Sequence, residues 1–501
     1  MTSFYRLSLL IFFAVLCVLN APAQGFAPAE TPDTSGTPAP GVVEEEKVDQ
    51  RINRLEAELK LMKEQIEALR KLLDRRETAM PQSVIAQNTN EAADPRSAVT
   101  GSTPDPATAE QKKDLSFDAG DYRITPYGII FFNAFSNSGG TNNADDPLWA
   151  APGARGNASA SGRQTRLGVR FEGGKLGNAN VKGVVEADFY GGFPAVGIGE
   201  HMGVVRLRLA NVRLDWERTS VIVGQDWMIF APNSPTSLAA QAIPQFASAG
   251  NPWARLPQVR VEQQLGNGFK WQGAILAPQT GDFPSAGNPA LLQPGAGAVS
   301  RVPFFQSRLS YTNGTWMGTK NAGTIGIAGH FGRSRVSNSD VTEDIGSYGV
   351  AVDWKFPIVK RLTAAGEAFL GENLGGFQAG IFQGYNSDFG VPSTSLGSNP
   401  RGVRSIRTHG GWLQLGWKVP AFEDRLSIYG SFGIDDPRNR DLISASNRNF
   451  RSRNRGYAFD AIYDFSSQFG LGFELRRLET DYILGSRSSS NHFNLGAKYS
   501  F

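Results

Sequence analysis

Between about Asp121 and Phe501 the chain is built from short runs in which alternate residues are apolar, and this period of two constrains the fold more than any other feature. The run YAFDAIYDF, residues 457 to 465, places Tyr457, Phe459, Ala461, Tyr463 and Phe465 on one face of an extended strand. Ala458, Asp460, Ile462 and Asp464 fall on the other. VKGVVEADF (181–189), SYGVAVDWKF (347–356) and LSIYGSFGI (426–434) alternate in the same way. Carboxylates shut in a dry core are costly unless paired, whereas the water-filled interior of a transmembrane barrel hydrates them. The last run, NHFNLGAKYSF, ends on an aromatic residue, which suits a strand whose apolar face meets lipid and whose end lies in an aromatic girdle. Abundant glycine, 11% aromatics and a slightly negative mean hydropathy fit strands that are apolar on alternate positions only.

The connections between runs carry a second regularity. Tight turns are expected at ERTS (217–220), LGNG (265–268), FPIVK (356–360), PAFED (420–424) and SSQ (466–468). Long connections lie between them, near 137–161, 227–256, 278–302, 371–404 and 435–454. A soluble multi-sandwich protein has no reason to alternate short and long connections, whereas an outer-membrane barrel has turns on one rim and loops on the other. The expected fold is an all-β transmembrane barrel of about 16 antiparallel strands over residues 118–501, with both ends on the short-turn rim.

The segment before the barrel follows different rules. Residues 9–19, LLIFFAVLCVL, are too few for a transmembrane helix but have the length of a signal-peptide core, and Ala21-Pro22-Ala23 offers a cleavage site that predicts a signal peptide over 1–23. Cys17 lies inside it, so the mature chain would have no cysteine and no disulfide or thiolate chemistry. Residues 24–45 read as a flexible spacer rich in Pro, Gly and Thr. Over 46–76 the period becomes 3.5: Val48, Ile52, Leu55, Leu59, Met62, Ile66, Leu69 and Leu73 form a heptad seam. Arg51 to Glu56 resembles the short Arg-to-Glu signature of three-stranded coiled coils, so a trimeric rod of about 40 Å is expected. Residues 77–117 return to polar low complexity and read as a disordered linker. The net charge of +3 gives no reason to expect a nucleic-acid partner.

Taken together, RQTRLGVRFEG (163–173), VEADF (185–189), VRLRLANVRLDWERTSVIVGQDW (205–227) and the terminal strand ending in Phe501 resemble the trimeric general porins of Gram-negative outer membranes. The heptads before the barrel make the chain look like the DcaP-like branch, and that resemblance implies a homotrimer passing small anionic solutes such as dicarboxylates, with the coiled coil in the periplasm. Phosphate-selective and sugar porins also bear such coiled coils and remain alternatives. In this class a C-terminal aromatic is the signal read by the barrel-assembly machinery, a role that falls here to Phe501.

Alternation names candidate pore-lining residues. With Leu167, Val169 and Phe171 facing lipid, Arg166 and Arg170 face inward; the same reasoning points Arg206, Arg208, Arg260 and Arg308 inward. Arginine far outnumbers lysine in the barrel, and its planar fork matches carboxylate or phosphate. Glu186, Asp188 and Glu262 share the inward parity, yet as a smaller group they are expected to leave the wall basic. The connection 228–257, poor in charge, is a candidate constriction loop. Arg401, Arg404 and Arg407, then Arg448, Arg451, Arg453 and Arg455, are expected in outer loops, drawing anions to the mouth or bridging lipopolysaccharide phosphates. An enzyme is not expected: His201, His330, His409 and His492 show no metal spacing, no nucleophile motif is present, and neither metal nor cofactor is called for. A structural anchor, tethering the envelope through the coiled coil with conduction incidental, is the competing reading.

Overall fold

The computed structural model describes Lys60 and residues 115–191, 203–278, 295–319, 321–338, 341–390, 402–444 and 449–501. The predicted signal peptide and spacer, most of the linker, and the coiled-coil seam lie outside the described residues, apart from Lys60, which is helical. All that follows concerns the unit spanning 93–501.

Sixteen antiparallel strands close on themselves. They are β1 (Tyr122–Thr141), β2 in two pieces (Ala150–Ser161 and Arg166–Leu176), β3 (Ala179–Asp188), β4 (Arg206–Asp215) and β5 (Thr219–Trp227). Next come β6 (Arg255–Gly266), β7 (Phe269–Leu276), β8 (Phe304–Asn313), β9 (Gly323–Ser337), β10 (Thr342–Val359) and β11 (Leu362–Glu372). β12 (Arg407–Lys418), β13 (Leu426–Pro437), β14 (Arg451–Asp464), β15 (Phe469–Tyr482) and β16 (Ser488–Ser500) complete the wall. β2 counts as one strand because its first piece pairs with the far half of β1 and its second with the near half, the chain stepping inward at 162–165. Closure runs from Ile129 opposite Ser500 to Asn137 opposite His492, and Gly128 and Phe501 exchange backbone hydrogen bonds of 3.1 Å at the seam. A closed ladder leaves no unpaired edge, the condition for a sheet to sit in lipid.

Alternation sorts the two faces as expected. Phe493, Leu495 and Tyr499 of β16, Tyr457 and Phe459 of β14, and Leu309 of β8 are exposed on the outside, while Asp460, Arg308 and Asn494 are buried within. The connections also follow the predicted alternation, with two differences. The expected loop at 137–161 shrinks to 142–149, because both flanking strands extend past the apolar band and keep pairing; and 338–341 and 483–487, on the long-loop rim, are short. FPIVK belongs mostly to β10, so the turn falls two residues later, at 360–361.

The interior is not an open tube. The connection 228–254 folds inward, burying Met228, Ile229, Phe230, Leu238, Phe246 and Trp253. The first part of the connection that follows β11 also turns inward, bringing Leu374 and Phe377 against Phe230, and with Phe304, Phe369 and Ala351 of the wall they form a dry apolar cluster. Each such buried side chain contributes roughly 2 kcal/mol, so both connections are held as part of the fold. Left-handed backbone at Ala231, Phe246, Ser248, Gln378, Ile381 and Phe382 shows the cost of bending two loops into that space.

Candidate functional site

The inward loop lies between two walls of opposite character. On the first, register places Asp188 opposite both Arg166 on β2 and Arg206 on β4. Arg206 grips Asp188 with two hydrogen bonds, of 3.0 and 2.6 Å, and Arg208 reaches Glu186 at 2.6 Å and Asp188 at 2.8 Å. The Nε of Arg166 lies 3.7 Å from Glu186, to which Tyr127 also donates at 2.9 Å. Further round, Arg260 binds Asp226 at 2.6 Å and Glu262 at 3.0 Å, and Arg308 binds Asp353 at 2.9 and 2.7 Å.

The predicted arginines therefore do face inward, but the expectation of an uncompensated basic wall is corrected. Cross-strand register sets a carboxylate beside almost every one, including Asp226 and Asp353, which the sequence reading did not single out. Burial enforces this pairing, since an unpaired charge under the loop would cost several kcal/mol. Arg166, Arg208, Arg260, Arg308, Glu186, Asp188 and Glu262 are buried and Arg206 is partly so, whereas Arg170 is exposed and lies 4.1 Å over the Tyr127 ring.

What remains of the donor capacity holds the loop. Gln241 O accepts from Arg166 at 2.7 Å, and Ala242 O accepts from Arg206 at 2.9 Å and Arg255 at 3.2 Å. Gln164, in the step of β2, receives the Gln241 and Ala242 amides at 2.8 and 2.9 Å and donates to Ala239 O. The opposite wall carries Glu367, Asp460 and Glu474, with the buried Arg476 bridging Glu474 at 2.7 Å and Asp146 at 3.0 Å, and it meets donors: Asn233 N donates to Glu367, Ser237 to Glu474, and Gln245 to Asp460 and Glu474 at 3.2 and 3.0 Å. A loop with no charge of its own between residues 228 and 254 thus spans the lumen, carbonyls towards guanidiniums and donors towards carboxylates. Asp460, expected to be hydrated, is instead covered by this loop.

Arg123 and Lys182 escaped the sequence reading, whereas Arg170 did not. Arg255 lies 4.8 Å from the Trp227 ring and 5.0 Å from that of Trp253, pinned over the loop's return. Arg123, Arg170 and Lys182 are exposed on the inward face near the short-turn rim, where Asp118, opposite Arg123 in register, and Glu172 are exposed carboxylates and Asp215 lies 3.8 Å from Lys182 Nζ. Arg213 and Lys270 share that face, paired in part with Asp215 and Glu262.

The outer arginines divide. Arg404 and Arg407 are both held by Asp441, Arg453 by Asp436 and Arg455 by Asp481, while Arg451 turns inward to the Ile381 carbonyl and the Trp149 ring. Arg401 and Arg448 lie outside the described residues. The expected free basic mouth is thus replaced by paired guanidiniums, because each strand extension also carries an acid of matching parity.

The histidines form no hydrolytic centre among the described residues. His330 Nε2 is 3.0 Å from Ser347 Oγ, but both are buried, the ring is packed edge-on to Phe304 and Phe377, and no carboxylate orients Nδ1. His409 is exposed on the outer face, and His492 is bonded to Asn137. No three His, Cys, Asp or Glu among the described residues are placed to hold a metal ion.

No protein-family model and no curated protein sequence matches the chain. Among solved structures, the barrel superposes on the outer membrane channel DcaP of Acinetobacter baumannii with a TM-score of 0.58 and 18% identity, over 76% of this chain and 98% of that one. The anion-selective porin from Comamonas acidovorans aligns at 0.46 with 11% identity over 76% of this chain and all of that one, and Salmonella typhi OmpF at 0.47 with 12% identity over 77% and 100%. The chain thus has the closed 16-strand fold of an outer-membrane channel, the architecture of DcaP.

Proposed function

We propose that the protein is an outer-membrane porin giving passive diffusion to small hydrophilic solutes, with a preference for anions such as dicarboxylates. The observation that carries the preference is the exposed set Arg123, Arg170 and Lys182 on the inward face, which outnumbers the exposed acids Asp118 and Glu172 there. A solute passing the short-turn rim meets these groups in water, as counter-ions and hydrogen-bond donors. The buried ladder from Arg166 to Arg260 contributes differently: it fixes the inward loop, which sets the width of the passage, and its charges act across a low-dielectric layer, where fields are screened least. Three chains joined through the heptads of 46–76, on the periplasmic side, make the assembly, and Phe501 at the closing seam marks the strand for the barrel-assembly machinery.

Liposomes containing the protein should admit a small dicarboxylate faster than a diamine of equal size. The reverse order would defeat the anion preference, and exclusion of both would defeat the porin reading in favour of a sealed anchor. Chemical cross-linking of the full chain is expected to yield a three-chain species.

A further inference from the structure

One carbonyl of the inward loop sits where three guanidiniums converge. Ala242 O accepts from Arg206 at 2.9 Å, from Arg255 at 3.2 Å and from Arg208 at 3.4 Å, and the neighbouring Gln241 O accepts from Arg166 at 2.7 Å. The acids in contact with this group are Glu186, which meets Arg166 and Arg208, and Asp188, which meets Arg206 and Arg208. Four positive charges therefore face two negative ones, and two remain in excess. Neutral oxygens of the loop fill the place of the missing anion.

Arg255 is the member that forms no ion pair with a described residue. Its Nη2 donates to Ala242 O, its Nη1 is buried without a hydrogen-bond partner, and the rings of Trp227 and Trp253 hold it from 4.8 and 5.0 Å. The Nε1 of Trp253 is likewise buried and unpartnered. Both donors lose water on folding and gain no acceptor in return, a cost that an entering anion would remove. Access is from the long-loop rim, where Arg206 begins β4 with a quarter of its side chain exposed and Arg255 begins β6 half-buried.

A carboxylate oxygen carries the charge that a peptide carbonyl lacks, and its hydrogen bonds to guanidinium are roughly twice as strong. Two carboxylates would also cancel the excess of two charges, which a neutral solute would not. From Ser237 to Ala254 every residue of the loop is buried, so the loop in this position leaves little room beside it. We propose that Ala242 O is a stand-in for solute, and that a dicarboxylate taking its place on Arg206, Arg208 and Arg255 displaces the segment 239–243 and widens its own passage. The inference rests on the porin reading and adds regulation to it, because passage of the solute is coupled to release of the loop. The dicarboxylate reaches these guanidiniums only in the displaced state, and a ligand shifts an equilibrium by its difference in affinity for the two states. Gln164, which receives the Gln241 and Ala242 amides and donates to Ala239 O, opposes release and returns the segment once the solute has left.

Full-length folded protein carrying Ala242→Cys, in liposomes, can be labelled with a membrane-impermeant maleimide, the unsubstituted chain serving as control for Cys17. Ala242 is 1% exposed, so labelling should be slow. Succinate should speed it about tenfold, and the diamine putrescine should not. In the same background Arg255→Gln, which strands no carboxylate and so spares the fold, should raise the succinate concentration for half of that effect about tenfold, and Arg255→Lys, which keeps the charge, should recover part of the response. Equal labelling with and without succinate, in liposomes that still admit succinate, would overturn the proposal and leave the porin reading standing. An unchanged response in Arg255→Gln would overturn it too, since the loop would then move without this site. Liposomes that exclude succinate would overturn both.

Discussion

Arg208 and Arg170 sit on the same inward face, yet their environments assign them opposite tasks. Arg208 is enclosed with Glu186 and Asp188, so Arg208→Ala leaves two buried carboxylates undercompensated; a loss of about 3–5 kcal/mol is expected, visible as a lower temperature for the folded-to-unfolded shift in unboiled gel samples. Arg170→Ala removes an exposed charge and should change stability by less than about 0.5 kcal/mol, leaving that temperature nearly unmoved, while lowering anion preference in bilayers. At the outer rim, burial alone would raise the Asp441 carboxyl, but hydrogen bonds from Arg407 and the charges of Arg407 and Arg404 hold it below the ordinary aspartate range. A depressed folded pKa gives stability that is complete above the unfolded value and lost as pH falls through the folded one. The clamp should therefore stay closed at pH ~5 and open only below about pH 4, a transition that amide hydrogen exchange at Arg407 can follow. Parity alone made the inward direction of Arg166, Arg206 and Arg308 legible, and it marks Lys182 too, since Lys182 shares the parity of Glu186 in VKGVVEADF. Pairing was not legible, because it depends on which residues stand opposite, and register is set by turns and by irregularities such as the one between Glu186 and Ala187.

Among elements, the connection 228–254 decides what the barrel interior can be. Gly250 has φ +110°, and a Cβ there would meet Gly411 O at 2.1 Å, so the loop passes against the backbone of β12 with no room for a side chain. Gly250→Ala should lift the loop from the far wall while the barrel still closes, giving larger and noisier single-channel conductance; unchanged conductance would mean the loop does not limit the passage. Its charge-poor composition and position after β5 pointed to an inward path, and that much was legible. The second inward connection was not. Leu374, Phe377 and Ala379 occupy a stretch with no periodicity, and only their contact with Phe230 and the wall gives them a partner. The heptad seam is of another kind: spacing of 3.5 from Val48 to Leu73 can be read without tertiary context, and the rod it predicts lies outside the described residues.

For the whole molecule, closure follows from the chain's own pattern: strands apolar on alternate residues, turns short on one rim, and a last strand that pairs with the first. Inside, paired guanidiniums of β2 to β6 face, across the inserted loop, the carboxylates Glu367 of β11 and Asp460 and Glu474 of β14 and β15, the last paired with Arg476. Solutes would cross this loop after an entrance where the exposed cations Arg123, Arg170 and Lys182 outnumber the exposed acids Asp118 and Glu172. This division was only half visible in the sequence, which shows the inward charges but not which walls they share. The most direct measurement is the reversal potential of single channels in a planar bilayer under a potassium chloride gradient at neutral pH. The arrangement predicts a sign corresponding to chloride passing more readily than potassium; a sign corresponding to potassium, or no conductance from fully folded protein, would contradict it.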